Sequence, residues 1–358
     1  MSAPPDQLHP PQPRWRDPTT VQTAALVVLA AAAGWFLLHE LASLLRPLLI
    51  ATFLAYIVLP YHILLRQRVT GPVSIVLLAG FTAAVLVVVA LTVYANVLLL
   101  NEELPGLQQR AVALAYGAEE WVAANAPGLL RASGDGSRVD TRLAERATQA
   151  ARPILNAIAE ALLEACVVAL YLLFLLLEAS QFPDRVRRAY PADRAREILH
   201  LAGQVNSAII SYLKAKVKSS LILAVPVGVV LAAFGVRFAL LWAVLTFLCN
   251  FIPYVGSVVA YTLPIGFAFL QLPLDWVPIV LAGIVLLCHL GSASVIEPMV
   301  LGRAVGLSPL VILGSLAFWG LLWGIPGMFL AVPLTVVSVI VMGYFSFTQP
   351  LAKLLGGE

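Results

Sequence analysis

Charge is what this chain of 358 residues has least of: Asp, Glu, Lys and Arg together make up 11%. An ordinary soluble domain carries about 25%. With 61% of its residues apolar, the chain has too few charged groups to cover a water-soluble fold, so its solvent must be lipid. Cysteine is scarce as well. Cys166, Cys249 and Cys288 each sit inside an apolar run, which suits buried thiols rather than a disulfide framework or a metal centre. The net charge is only +3, and the Lys and Arg are not gathered into a groove-sized patch. No zinc-knuckle or helix-turn-helix pattern accompanies them, so nucleic acid is not an expected partner. The sequence also lacks a phosphate-binding Walker loop, a nucleophile–base pair and a His-Glu-x-x-His motif. ATP-driven pumping and intramembrane proteolysis therefore lack their parts, and neither an enzyme activity nor a cofactor nor a metal is expected.

What is abundant is long apolar stretches. About 20 apolar residues of helix cross a bilayer core, and runs of that kind cover Val21–Leu41, Leu44–Leu65, Pro72–Leu100 and Ile154–Leu177. Between Ser219 and Tyr344 only Arg237, Asp275, Glu297 and Arg303 carry charge. That region divides into 219–234, 238–270 (broken at Pro253), 277–295, and a run from 307 to 344 interrupted at Gly324–Gly327 and Pro333. The expected fold is all-α, a polytopic transmembrane helical bundle of about eight passages, with broken or re-entrant helices in the C-terminal half.

Loop cations orient the bundle. Arg14 and Arg16, then Arg66 and Arg68, then eight Lys and Arg from Arg185 to Lys218 fall on one side if the spans alternate, and that side is read as cytoplasmic. The expected organisation is a proline-rich disordered cytoplasmic tail over 1–20, helices over 21–100, and an extracytoplasmic amphipathic segment over 101–153. A further span over 154–177, a basic cytoplasmic connector over 178–218, a transmembrane or re-entrant bundle over 219–345, and a cytoplasmic tail over 346–358 follow. The first helix would serve as an uncleaved signal-anchor, and both termini would lie inside a bacterial inner membrane.

Three segments could carry function. In the first, Asn250–Ser257, Pro253 should break a helix at membrane depth. Backbone groups freed there need protein, water or a substrate as partner, which is how many transporters build a site. A kink that serves packing alone is the competing reading, and Asn250, Tyr254 and Gly256 weigh toward function. In the second, Glu297 and Arg303 are the only charges between Asp275 and Lys353, on a stretch that Pro298, Gly302 and Pro309 can fold. They either line a pathway or anchor an interfacial loop. In the third, Gly324, Pro326, Gly327 and Pro333 are candidate hinges in a final stretch read as two half-helices or a hairpin. Glu164, four residues after Glu160 on one face of the fourth span, and the lone His289 are weaker candidates for coupling. Headgroup solvation and helix packing are the respective alternatives.

The last 140 or so residues resemble the AI-2E (autoinducer-2 exporter, PerM-like) family of transporters. The matching residues are Phe234-Gly235-Val236-Arg237-Phe238-Ala239-Leu240, Asn250 to Ser257, Glu297-Pro298 through Gly302-Arg303 to Leu310, Phe318-Trp319-Gly320, Gly324, Gly327 and Ala331-Val332-Pro333-Leu334. At 214–218 the chain has Lys-Ala-Lys-Val-Lys, where many relatives have a Gly-Gln-type pair. The resemblance implies transport without nucleotide hydrolysis by a homo-oligomer. Its substrate would be a small molecule such as autoinducer-2 or, in a second reading, sodium or lithium exchanged for protons. A membrane assembly scaffold is a third reading, disfavoured by the broken helices.

Overall fold

A computed structural model describes residues 18–125, 151–179, 181–273, 275–297, 299 and 306–356. Every element in them is helical. In chain order they are α1 (Pro18–Glu40), α2 (Ala42–Leu65), α3 (Gly71–Asn125), α4 (Ala151–Ala179), α5 (Phe182–Ala189) and α6 (Ala192–Ala233). Then come α7 (Ala239–Cys249), α8 (Val255–Gln271), α9 (Trp276–Gly291) with a π-helical turn (Ser292–Ile296), α10 (Pro309–Trp323), α11 (Ile325–Tyr344) and α12 (Gln349–Leu355). The β structure among the described residues is an isolated bridge between Leu307 and Gly356.

Large apolar side chains cover the outside. Phe81, Val88, Leu287 and Leu321 are more than 60% exposed, an arrangement stable in lipid and not in water. Among the described residues five helices are long and apolar enough to cross a membrane, or six if Glu164–Ala179 and Phe182–Ala189 form one bent span. A count of eight would need the shorter apolar stretches Ala25–Glu40, α7, α8 or α10 to enter the bilayer as well.

The spine is α6. Its 42 residues make about 63 Å of helix at 1.5 Å per residue. Ile209, Tyr212 and Leu213 on its first half pack against Phe53 of α2 and Leu330, Val332 and Val336 of α11. Leu223, Val227 and Leu231 on its second half pack with Trp242 of α7, Phe267 of α8 and Leu281 and Val285 of α9, with Leu100 and Leu107 of α3 at the edge. A separate seam joins α2, α3 and α4 through Ala51, Val58, Ile75, Ala79, Val168 and Leu172.

Two boundaries differ from the expectation. The chain does not break near Leu100, because α3 runs on through the polar stretch to Asn125. Nor does it break at 218: the basic connector expected over 178–218 is divided among the end of α4, α5 and the start of α6, and from Ala192 it and the span after it are one helix. The acidic and basic residues there are good helix formers, and α3 and α6 run through Pro105 and Pro226 respectively without breaking.

Candidate functional site

The break foreseen at Pro253 is a tight corner. α7 ends at Cys249, Tyr254 takes a positive φ of 61°, and α8 starts at Val255. A Cβ on Gly256 would lie 1.7 Å from the Cys249 carbonyl oxygen, so only glycine lets α8 return past the end of α7. Asn250 points inward, 4% exposed, and its Nδ2 donates to Ser220 Oγ of α6 at 2.9 Å. Tyr254 points outward, 52% exposed. The corner thus sends the two in opposite directions.

The second corner lies between α10 and α11. Gly324, at φ 68°, is the junction, and Pro326 occupies the first turn of α11. A Cβ on Gly327 would come within 1.9 Å of the Trp319 carbonyl oxygen. Pro333 makes no break, contrary to the expected interruption. It is buried inside continuous α11, where neighbouring helices supply the packing that lets a helix tolerate proline. Pro309 opens α10, with Ser308 Oγ accepting from Val311 N–H at 3.3 Å. The two corners meet. Phe251 stacks on Phe329 with ring centroids 4.6 Å apart and planes at 19°, and Ile252 packs with Leu316 and Ala331.

Beside this junction lies a buried ion pair. Lys216 Nζ of α6 donates to Glu297 Oε1 at 2.5 Å, the Lys side chain being 3% and the Glu side chain 29% exposed. Buried Tyr212 lies about one turn before Lys216 on α6, and Ser219 Oγ donates to the Lys216 carbonyl at 3.0 Å. Asn250–Ser220 sits one helical turn further along α6. Glu297 follows the π-helical turn, an element that recurs at functional sites. Pro298, Gly302 and Arg303 lie outside the described residues.

The pair's height follows from helix arithmetic. At one end of α6, Glu197 bonds Arg194 and the Tyr344 hydroxyl. Nineteen residues, about 29 Å of helix, separate Glu197 from Lys216. From Lys216 to the other end at Ala233 is seventeen residues, about 26 Å. There Arg237 pairs with Glu103 at 2.6 Å, and Arg110 donates to the Leu270 and Gln271 carbonyls. Lys216 is thus about midway along α6 between two charged ends that lie about 55 Å of helix apart, more than one bilayer core of about 30 Å, and exposed Lys214 and Lys218 flank it.

Of the weaker candidates, His289 is buried on α9 with its ring 5.5 Å from that of Tyr261, and its Nε2 has no hydrogen-bond partner among the described residues. Thr246 Oγ1 and Ser292 Oγ are likewise unpaired there. Glu164 is half-buried on α4, away from this junction, and has no ion-pair partner among the described residues. No group of His, Cys, Asp and Glu there could hold a metal ion. Sequence reasoning missed Lys216 and Ser220. Their signal was a lysine two residues from each of two others, a spacing that puts it on the opposite helix face.

These features belong to a helical membrane protein built round broken helices and a buried charge pair. The AI-2E family transporter model matches residues 24–346, and the chain belongs to that family of membrane transport proteins. It is 36% identical over 204 residues to the AI-2 transport protein TqsA of Escherichia coli K12, covering 56% of this chain and 58% of that protein. A putative transport protein of Haemophilus influenzae is 37% identical over 53% of this chain and 55% of its own length. Those two alignments thus take in little more than half of each relative. The putative transport protein YhhT of E. coli K12 is 28% identical over 94% of this chain and 93% of its own.

Proposed function

We propose that this protein carries a small polar solute across the bilayer as a secondary transporter or facilitated exporter, without nucleotide hydrolysis. In this reading the Lys216–Glu297 pair is the polar station of the pathway. The observation that carries it is Lys216, 3% exposed inside the bundle and paired with the partly open Glu297 beside the two helix corners. Ionised groups enclosed among apolar helices are expensive and often functional. Glu297 is the partly open partner and meets the solute; Lys216 holds it in place. Gly256 and Gly324 are the hinges, and the Phe251–Phe329 stack makes the two corners move together. The membrane is the bacterial cytoplasmic membrane, with the arginine-rich ends of α2 and α6 inside. TqsA is described as an AI-2 transport protein, so autoinducer-2 is the first solute to test.

Cation/proton exchange is the second reading, favoured by one specific feature: Glu297 is a carboxylate half-enclosed by apolar helices, of the kind that can trade a proton for a metal ion. Liposomes holding the purified protein separate the two. Efflux of autoinducer-2 that persists without an ion gradient, and falls in Glu297→Gln, supports the exporter. Sodium movement that collapses a proton gradient and vanishes in Glu297→Gln makes the exchanger correct. If Glu297→Gln changes neither flux, the ion pair is not part of the pathway.

A further inference from the structure

At the arginine-rich end, α12 folds back against α11, with Ala352 buried and 3.9 Å from where a Cβ on Gly343 would lie. Leu351 and Leu354 on its outer face are 48% and 78% exposed, and Phe347, in the turn just before it, is 93% exposed. Exposed apolar side chains of this kind suit the acyl boundary of a membrane interface. The turn before α12 therefore sits at headgroup depth, and Tyr344, enriched-type for that level, is beside it.

Between α6, α11 and α12 is a cavity of about 740 Å³ lined by His200, Gln204, Ile340, Tyr344, Gln349 and Lys353, among others. That volume is within the range of small-molecule sites. No carboxylate among the described residues lines it. The nearest acid of α6, Glu197, is engaged by Arg194 at 3.0 Å and by the Tyr344 hydroxyl at 2.9 Å. Lys353 has no ion-pair partner among the described residues. The wall toward α11 is apolar, from Val339 and Ile340. One face of the cavity thus offers an ammonium, an imidazole and two amides, and the other offers aliphatic surface.

We infer that this cavity binds the phosphate headgroup of an anionic phospholipid from the leaflet bordering the arginine-rich end. Lys353 pairs with the phosphodiester, the His200, Gln204 and Gln349 side chains bond its oxygens, and Val339 and Ile340 receive the start of the acyl chains. A soluble phosphate shares the headgroup chemistry but not the need for the apolar wall or for the interfacial face of α12. The inference is independent of what the protein transports.

The test uses the full chain in a mild uncharged detergent. Phosphatidylglycerol, phosphatidylcholine and inorganic phosphate are titrated separately, with the thermal unfolding midpoint and lipid retention in native mass spectrometry as readouts. Phosphatidylglycerol is expected to raise the midpoint and to leave one retained lipid per chain, whereas phosphatidylcholine and phosphate do neither. Lys353→Glu should weaken the phosphatidylglycerol response about ten-fold, from the loss and reversal of one near-surface charge. Gly343→Leu should weaken it comparably by filling the cavity with no charge change. Arg187→Gln, on exposed α5, should leave it intact. Should Lys353→Glu fail to fold, Lys353→Gln and Gly343→Leu give the same reading. Equal stabilisation by inorganic phosphate would overturn the lipid assignment. Wild-type affinity in both Lys353→Glu and Gly343→Leu would overturn the cavity.

Discussion

Removing one partner of the Lys216–Glu297 pair should be far worse than removing both, and the two single changes should differ. Leaving a charge buried without its partner costs about 3–5 kcal/mol where it has no route to solvent. Glu297→Gln strands Lys216, whose side chain is 3% exposed, so it should cost the full amount, about 3–5 kcal/mol. Lys216→Met strands Glu297, which keeps 29% exposure. Rehydration through that opening screens the charge and reduces the cost to about 1–2 kcal/mol. Replacing both, as Lys216→Met with Glu297→Met, should bring stability back to within about 1 kcal/mol of wild type, since an apolar pair of similar volume is often neutral. A double-mutant cycle closed with the single change Glu297→Met would then show a coupling of at least about 3 kcal/mol between the sites. The assay is unfolding of the purified protein in mixed micelles by titration with a denaturing detergent, followed by tryptophan fluorescence. Trp323, 2% exposed, is well placed to report it. If Lys216→Met cost as much as Glu297→Gln, or the double change cost their sum, the asymmetric burial argued here would be wrong.

The other expectations are simpler. Gly256→Ala should abolish folded protein on size-exclusion chromatography, because the new methyl meets the Cys249 carbonyl oxygen at 1.7 Å, whereas Gly283→Ala, with nothing within 4 Å in mid-α9, should gain up to about 1 kcal/mol from helix propensity. Asn250→Ala leaves the buried Ser220 hydroxyl without its 2.9 Å partner and should cost about 1–3 kcal/mol in the same micelle titration. Phe329→Leu removes the ring stacked on Phe251 and should lower liposome flux while costing less than about 1.5 kcal/mol; unchanged flux would mean that the two corners do not move together.

Much of this fold was legible as composition and spacing. An apolar run has nowhere to go but lipid, where a backbone pairs its own groups as a helix or a closed barrel, and unbroken apolar runs of about 20 residues rather than alternating ones select the helix. The corner at 250–256 was legible too, because proline and glycine act locally. Yet Pro253 and Pro333 looked alike, and one ends a helix while the other lies buried in mid-helix. What separates them is the close approach that Gly256 permits and the helices packed around α11, and neighbours in space are not written locally.

The charge pair shows the limit most plainly. Lys214, Lys216 and Lys218 read as one basic cluster. At about 100° per residue, Lys214 and Lys218 share a helix face and Lys216 points the other way. Helical periodicity could therefore divide the three, but not say which face is inside. That was decided by α2, α7, α9 and α11 closing round α6, which exposes Lys214 and Lys218, buries Lys216, and brings it to a carboxylate 81 residues away. Sequence alone determined that this chain lives in a membrane as helices; only packing decided which of its charges share the interior, because burial is a property of the neighbours a residue meets.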